Sequence, residues 1–195
     1  MSRNVRGACA LYYSYQVKGA DGRIKVPFRK RICHSFVNPY IRLLYLKMVG
    51  ATTQSITDTG GVSRSINVFG QVRGDSTATT STFGLVVGTG TNAESFSDTA
   101  LQTQIAHGTT AGTLDYGASV VNQASSDSTS TTMICTRVFA NSSGGSIAVT
   151  EIGVYWQIVD SGSTNRQFCI ARDLATIALL NGDQLTLNYI FKTTS

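Results

Sequence analysis

Charged side chains are scarce in this sequence: Asp, Glu, Lys and Arg make up 14% of its 195 residues, compared with roughly 25% in an average soluble domain. The chain also has only two prolines and two histidines. Groups for acid–base catalysis or metal binding are few and scattered, so we expect no catalytic residue, no metal and no cofactor. A surface of hydroxyls rather than charges repels its own copies weakly, which suits a chain that packs against itself.

Long apolar runs are also missing. The N-terminal stretch "MSRNVRGACALYYSYQVKG" has no apolar core of a secretory signal, and no segment reaches the 18 apolar residues of a membrane span. We therefore expect a protein that is made in the cytoplasm and has no membrane partner. The spacing of Cys9, Cys33, Cys135 and Cys169 is unlike that of a CxxC zinc motif, and buried free thiols are the prediction.

Positive charge is concentrated near the N-terminal end. Residues 1–50 contain ten of the 16 lysines and arginines and a single acid, Asp21. We interpret residues 1–50 as a basic assembly region and residues 51–195 as the body. A basic region on a nearly neutral body predicts an acidic partner, although a solvated basic face is an equal alternative.

The candidate interface residues of the basic region are Arg29, Lys30 and Arg31, within "RIKVPFRKRICHSF". Aromatic residues near such charges also occur in nucleic-acid-binding surfaces. Here the aromatic residues fit a strand or helix core better. We therefore favour contact with an acidic protein surface over contact with nucleic acid.

The basic region predicts a β-hairpin followed by one helix. Residues 10–17 and 23–28 are β-prone and flank an Asp-Gly turn. Asn38 and Pro39 suit the cap and first turn of a helix that Gly50 ends. The apolar residues at helical spacing are Ile41, Leu44, Tyr45 and Met48, and Leu43 and Leu46 widen this surface. Such a helix is expected to be covered on more than one side, by the body or by a neighbouring subunit.

The rest of the chain predicts many short strands. After a polar link at 51–65 we expect strands at 63–73, 83–88, 112–121, 131–140, 146–158, 166–171 and 184–191. Segments rich in hydroxyls and glycine separate them, and residues 98–106 fit either a short helix or an extended arm. The predicted fold class is mainly β: an antiparallel, jelly-roll-like β-sandwich with an N-terminal β-hairpin and one short helix.

Few residues suggest chemistry. His107 is expected in a loop or an interface, and "VVGTGTNAES" (86–95) is expected to form a turn or bulge because no GK[ST] follows its glycines. Glu151 lies within a predicted strand. It either faces outward or pairs with an arginine such as Arg137 or Arg172.

Tyr155 and Trp156 are adjacent in the same predicted strand, so a regular strand directs them to opposite faces. One of them is therefore expected to leave the domain core. We take both as candidate interface residues, since large aromatic side chains often anchor interfaces.

Four blocks of the sequence resemble structural proteins of tailed bacteriophages. They are "SFVNPYIRLLYLKM", "LVVGTGTNAESFSDTALQTQIAHGTTAGTLDYG", "TRVFANSSGGSIAVTEIGVYW" and "IARDLATIALLNGDQLTLNYIF". The resemblance spans about residues 33–191, and its motifs are structural rather than catalytic. It implies a virion protein that forms a homo-oligomer and contacts the major capsid protein or other virion proteins.

The resemblance leaves the position in the virion open. We expect a capsid decoration or cement protein, with a tail or neck component (ring or adaptor) as the near alternative. A receptor- or carbohydrate-binding β-module of the tail is a further alternative, which the single tryptophan weakens. An enzyme is the third class, and the sequence favours it least.

Overall fold

A computed structural model of the chain describes residues 9–33, 36–49, 53–66 and 71–194. Within these residues the protein is mainly β, with one short helix and antiparallel strand ladders, as the sequence predicts. In chain order the elements are β1 (Cys9–Lys18), β2 (Ile24–Ile32), α1 (Asn38–Val49), β3 (Gln54–Thr57), β4 (Ser63–Ile66), β5 (Val72–Arg73), β6 (Gly84–Gly88), β7 (Asp115–Val121), β8 (Ser125–Ser126), β9 (Ser130–Ala140), β10 (Ile147–Val159), β11 (Asn165–Leu179) and β12 (Gln184–Thr194).

The predicted N-terminal hairpin is present, and it is part of the larger sheet. β1 pairs with β2 around a turn in which Gly22 has a φ of 81°, and β2 continues past residue 28 to Ile32. β1 also pairs along its length with β12, which gives the strand order β2-β1-β12-β9-β7 with β8 beside β9. The described part of the basic region therefore shares a sheet and a core with the body. Residue 50 marks a change in the charge composition of the sequence.

The second sheet is built around β10, which pairs with β11 on one side and with β5 and β6 on the other. Hydrogen bonds join it to the first sheet. The Tyr13 hydroxyl donates to the carbonyl oxygen of Leu174 at 3.3 Å, and the Tyr189 hydroxyl donates to Oδ2 of Asp173 at 2.8 Å. The apolar inner faces of the two sheets form one buried core.

Strands β9 to β12 form a ribbon that folds across both sheets. β9 pairs with β12 in the first sheet, while β10 pairs with β11 in the second. The two crossings between sheets meet at the fully buried Asn141, whose Nδ2 donates to the carbonyl oxygens of Gly145 at 2.8 Å and Leu179 at 3.0 Å. Its backbone N–H donates to the carbonyl oxygen of Asp183. Asn141 thus satisfies backbone groups at both corners of the ribbon.

The helix begins at Asn38 and ends at Val49, as expected, while Gly50 lies outside the described residues. Leu43 and Leu46 are each 1% exposed and pack on the body. The row at helical spacing stays exposed, by 58% at Ile41, 45% at Leu44, 50% at Tyr45 and 78% at Met48. The helix therefore has two apolar faces, and the described body covers one of them.

Most predicted strands are present, and one additional short strand, β8, lies in a segment predicted to be a turn. The predicted polar link contains β3, which pairs with β4, and residues 67–70 of the predicted strand 63–73 lie outside the described residues. β11 extends to Leu179 rather than ending near 171. Residues 98–106 are not helical. Among the described residues no helix is long and apolar enough to span a membrane.

Candidate functional site

The carboxylate of Glu151 is the centre of a buried hydrogen-bond network on β10. Its Oε1 accepts from the backbone N–H groups of Gly90 at 3.0 Å and Thr103 at 2.8 Å, and its Oε2 accepts from Gln102 N–H at 2.9 Å. Burial by itself raises the pKa of Glu151, but these hydrogen bonds, together with the Arg172 guanidinium, hold it below its ordinary value. The carboxylate is therefore kept ionised inside the protein.

Glu151 shares its strand face with Gly153 and Tyr155. A Cβ at Gly153 would lie 3.0 Å from Leu101, and the Tyr155 hydroxyl accepts a hydrogen bond from Leu101 N–H. The loop 89–106 thus covers this side of the second sheet. The alternative of a solvent-exposed Glu151 is wrong, because the side chain is fully buried.

Arg172 on β11 is the arginine that pairs with Glu151. Its Nε donates to Glu151 Oε2 at 2.9 Å, and its Nη1 donates to Asp98 Oδ2 at 3.0 Å. Its Nη2 donates to the carbonyl oxygen of Asn92 at 3.0 Å. Burial lowers the pKa of Arg172, but the two carboxylates outweigh this and raise it. One guanidinium thus joins the second sheet to residues 92 and 98 of the segment that follows β6.

The glycines of "VVGTGTNAES" lie at a strand end rather than in a turn or bulge: Gly88 is the last residue of β6, and Gly90 follows it in irregular backbone. Both contact an anion of the same chain. A Cβ at Gly88 or at Gly90 would lie 2.5 Å from Glu151 Oε1. Only a residue without a side chain fits so close to the carboxylate. As in a phosphate-binding loop, a backbone N–H of this glycine-containing segment donates to an anionic oxygen, and here that oxygen belongs to Glu151.

Arg137, the other arginine expected to pair with Glu151, lies elsewhere in the core. It is fully buried, and its Nε donates to the carbonyl oxygen of Gly117 at 2.8 Å and its Nη1 to that of Leu85 at 2.8 Å. Its Nη2 donates to the carbonyl oxygen of Thr80. Burial lowers the pKa of Arg137 to about 10. Its bonds to carbonyl oxygens hold the segment before β6 against the first sheet.

In two turns that the sequence does not single out, a carboxylate likewise accepts backbone N–H groups and pairs with an arginine. Asp58 Oδ1 accepts from Gly60 and Val62 N–H while Oδ2 pairs with Arg64 at 2.7 Å. In the β10–β11 turn, Asp160 does the same with the N–H groups of residues 162 and 164 and with the guanidinium of residue 166. The two turns lie side by side, joined by backbone hydrogen bonds. The shared pattern D-x-G-x-x-x-R was the available sequence signal.

Among the described residues, His107 contacts groups close to it in sequence, Tyr116 and Asp115. Its Nδ1 accepts from Tyr116 N–H at 3.2 Å and lies 3.5 Å from Asp115 Oδ1. This agrees with the prediction of a loop residue. Among the residues that the structure describes, no three His, Cys, Asp or Glu side chains lie together as a metal site would require.

Three of the four cysteines are described as free thiols, and the side chain of Cys9 lies outside the described part. Cys135 and Cys169 are buried, as predicted, while Cys33 is partly buried. Burial raises the pKa of each of these three thiols. A raised pKa disfavours the reactive thiolate at neutral pH.

The two candidate aromatic residues occupy different environments. Tyr155 is 3% exposed beneath loop 89–106, so in this chain it is part of the folded interior. Trp156 is partly buried, lies edge-on to Tyr40 of α1 at 5.9 Å between ring centroids, and stacks on Phe191 at 6.5 Å. Trp156 therefore packs the helix onto the sheets.

The three candidate basic residues are exposed together on β2. Lys30 Nζ lies 3.7 Å from the centroid of the Tyr12 ring, and the Arg31 guanidinium carbon lies 5.5 Å from that of Tyr15. Within the described residues, Arg29, Lys30 and Arg31 form no ion pair with a carboxylate. This is a positive surface that the described chain does not neutralise.

The exposed row on α1 is the second surface that the described chain does not complete. Phe96, which is 70% exposed, adds to it at the N-terminal end of the helix, where its carbonyl oxygen accepts from Asn38 N–H at 2.9 Å. We call Ile41, Leu44, Tyr45, Met48 and Phe96 the apolar helix face. Contiguous exposed apolar side chains of this kind mark contact surfaces.

Comparison with known proteins gives no relative: no protein-family model matches the sequence, and neither a curated protein nor a solved structure is significantly similar to the chain.

Proposed function

We propose that the chain is a non-catalytic structural protein of a bacteriophage virion that assembles through contacts between its own copies. We further propose that its body is an antiparallel, jelly-roll-like β-sandwich. The folded ribbon of β9 to β12 supports this, because β9–β12 and β10–β11 pair in different sheets, as in a hairpin wound over two layers.

The observation that carries the assembly role is the apolar helix face. Leu43 and Leu46 already supply the contact that holds α1 on the body. The opposite row adds nothing to the folding of the described chain, and leaving it in water is unfavourable. A helix with two apolar faces is typical of one that is covered on both.

A second copy is the occupant that we propose for the apolar helix face. The exposed row contains no charged side chain, and the whole surface carries few charges. In a dimer the apolar side chains of the two faces bury each other at the centre, and the exposed Arg42 and Lys47, which flank the row on the same helix, stay at the rim. Self-complementary contact of one patch with itself is the usual arrangement in symmetric dimers.

Among virion positions we favour decoration of the capsid, with a tail or neck component as the alternative. The unneutralised basic strand β2 supports a second contact, made to an acidic neighbour of a different kind. A map of the intact particle by electron microscopy tests the position, since density for the chain on the capsid lattice and density at the tail or neck exclude each other.

Sedimentation velocity over a range of protein concentrations tests the assembly. The wild type is expected to form a defined oligomer, and Leu44→Ser with Met48→Ser is expected to shift it to a folded monomer with a lower unfolding temperature, because association stabilises the folded state. Leu180→Ser is the matched control, because Leu180 is 57% exposed but lies in the turn after β11. A wild type that stays monomeric at high concentration contradicts the proposal, as does equal dissociation by the control.

A further inference from the structure

Strand β2 forms one edge of the six-stranded sheet: β1 pairs with it on one side, and no described strand pairs with it on the other. The register against β1 shifts twice between Ile24 and Arg29, and such bulges disturb a ladder. From residue 29 to residue 32 the pairing is regular, opposite residues 15 to 12. An open, regular edge is therefore confined to residues 29–32.

The alternation of an antiparallel ladder decides which backbone groups are free on this edge. Cys33 N–H donates to the carbonyl oxygen of Leu11 at 3.0 Å. Residues 29 and 31 are in phase with Cys33 and bond to β1, so Lys30 and Ile32 direct their N–H and C=O groups away from it. These are the groups to which an added strand binds.

The cations lie on both faces of the same four residues. Arg29 and Arg31 pair with the buried residues Tyr15 and Tyr13, so they project on the core side of the sheet, and Lys30 projects on the other. A strand added beside β2 places three consecutive side chains directly opposite these cations. Charge complementarity therefore requires acids at adjacent positions of the added strand.

A second copy of this chain does not supply such a strand. Its eleven acids are never adjacent, and the closest two, Glu94 and Asp98, are four positions apart. The buried ones are Asp58, Glu151, Asp160, Asp173 and Asp183. The complement must come from a different protein.

We propose that residues 29–32 of β2 bind an extended segment of another protein that carries consecutive acidic residues, and that the segment joins the sheet as an additional antiparallel or parallel strand. The main-chain groups of Lys30 and Ile32 provide the ladder, and the three cations select the acidic sequence. This inference is independent of self-association through the apolar helix face.

A capped, fluorescently labelled peptide, Thr-Val-Glu-Glu-Glu-Val-Thr, tests the proposal by fluorescence anisotropy with the full chain at low salt. The same peptide with three lysines in place of the glutamates is expected not to bind. The double variant Arg29→Glu with Arg31→Glu is expected to weaken binding about tenfold or more. Lys18→Glu, a charge reversal at the exposed end of β1, is the control and is expected to retain most of the affinity.

Strand addition is separated from simple charge attraction by Ile32→Pro. This variant keeps all three cations and the hydrogen bonds to β1 but removes an outward N–H, a substitution that edge strands tolerate. It is expected to lose peptide binding, while Ile32→Ala retains it and both keep the wild-type unfolding temperature. Unchanged affinity in Ile32→Pro overturns the proposal.

Two other results overturn it as well: no binding of the glutamate peptide by the wild type, and displacement of that peptide by a single-stranded or duplex oligonucleotide at lower concentration, which assigns the cations to nucleic acid. The Leu44→Ser and Met48→Ser variant is expected to bind the peptide normally. Failure of self-association and failure of strand addition are therefore distinguished by different variants.

Discussion

The loop between β6 and β7 and the edge strand β2 are both rich in polar groups, but they satisfy them in opposite ways. The loop places Asp98 beside Arg172 of β11, and its backbone N–H groups donate to Glu151 of β10, which also pairs with Arg172. In β2, Arg29 to Arg31 have no carboxylate among the described residues. Folding of the chain pairs the charged groups at the loop, whereas the charged groups of β2 are suited to a contact with another molecule.

The largest loss of unfolding free energy is expected from Arg172→Ala, at the paired charges beside the loop. It leaves the buried carboxylate of Glu151 without its counter-ion, and it also releases the carbonyl oxygen of Asn92. Removing one partner of a buried pair typically costs about 3–5 kcal/mol of unfolding free energy. Urea denaturation measures this loss, and a loss below about 1 kcal/mol contradicts the central role of the network.

A smaller effect is expected from Gly90→Ala. The added methyl group meets Glu151 Oε1 and Gln102 Cβ, each at 2.5 Å, so the loop must move away from the carboxylate. Overpacking of this kind costs about 1–3 kcal/mol. Gly145→Ala is the matched control in an exposed turn, because its Cβ would meet nothing within 4 Å. Equal urea midpoints for the two variants would show that the close approach at Gly90 is not needed.

Acid is expected to destabilise the protein through Glu151 and through two other paired carboxylates, Asp58 beside Arg64 and Asp183 beside Lys25. The pKa values of Glu151, Asp58 and Asp183 lie below their ordinary values in the folded chain. A carboxyl with a lowered folded pKa contributes stability that is complete above its unfolded pKa, about 4, and is lost as the pH falls through the folded pKa.

The thermal unfolding temperature is therefore expected to stay level from pH 7 to about 5 and to fall below about 4. Glu151→Gln is expected to start lower and to fall less steeply, because it has one such carboxylate fewer. Arg29→Ala removes no carboxylate, so it is expected to keep the wild-type slope. Parallel slopes for all three proteins contradict the assignment.

The smallest effect is expected on β2. Arg29 is exposed, and within the described residues it has no ion-pair partner, so Arg29→Ala is expected to change the unfolding free energy by no more than about 0.5 kcal/mol. Chemical denaturation measures it. A loss as large as that of Arg172→Ala would mean that β2 too is completed within the chain.

Strand and helix positions were largely predictable from the sequence, for local reasons. The alternation in "SGGSIAVTEIGVYWQIVD" follows the strand period and matches β10. Asn38 and Pro39 indicated the start of α1 because the preference of Pro for the first turn of a helix is local in sequence. The helix face was different. Six apolar positions surround α1, so spacing alone does not show that Leu43 and Leu46 contact the body.

Partners distant in sequence were the part that could not be predicted. Glu151 meets Arg172 rather than Arg137 because Arg172 lies on the neighbouring strand β11 whereas Arg137 lies on β9 of the other sheet, and the β10–β11 register includes a shift between Val149 and Glu151. The second half of β11 was missed because "DLATIAL" has a polar beginning and small residues. The loop over Tyr155 was ambiguous because its contacts are to another element and leave no periodic pattern in "DTALQTQIA".

The pairing of β1 with β12 has a consequence for how the chain reaches its native state. Tyr13 is synthesised long before Tyr189, its partner in β12, because the two residues are 176 positions apart in the sequence. Until then the early hairpin presents a vacant ladder on the side of β1 that β12 later occupies. Closing so long a span slows folding, and an unpaired strand of this kind is prone to join the wrong chain. Crowded polysomes are therefore where misassembly of this protein is expected to begin.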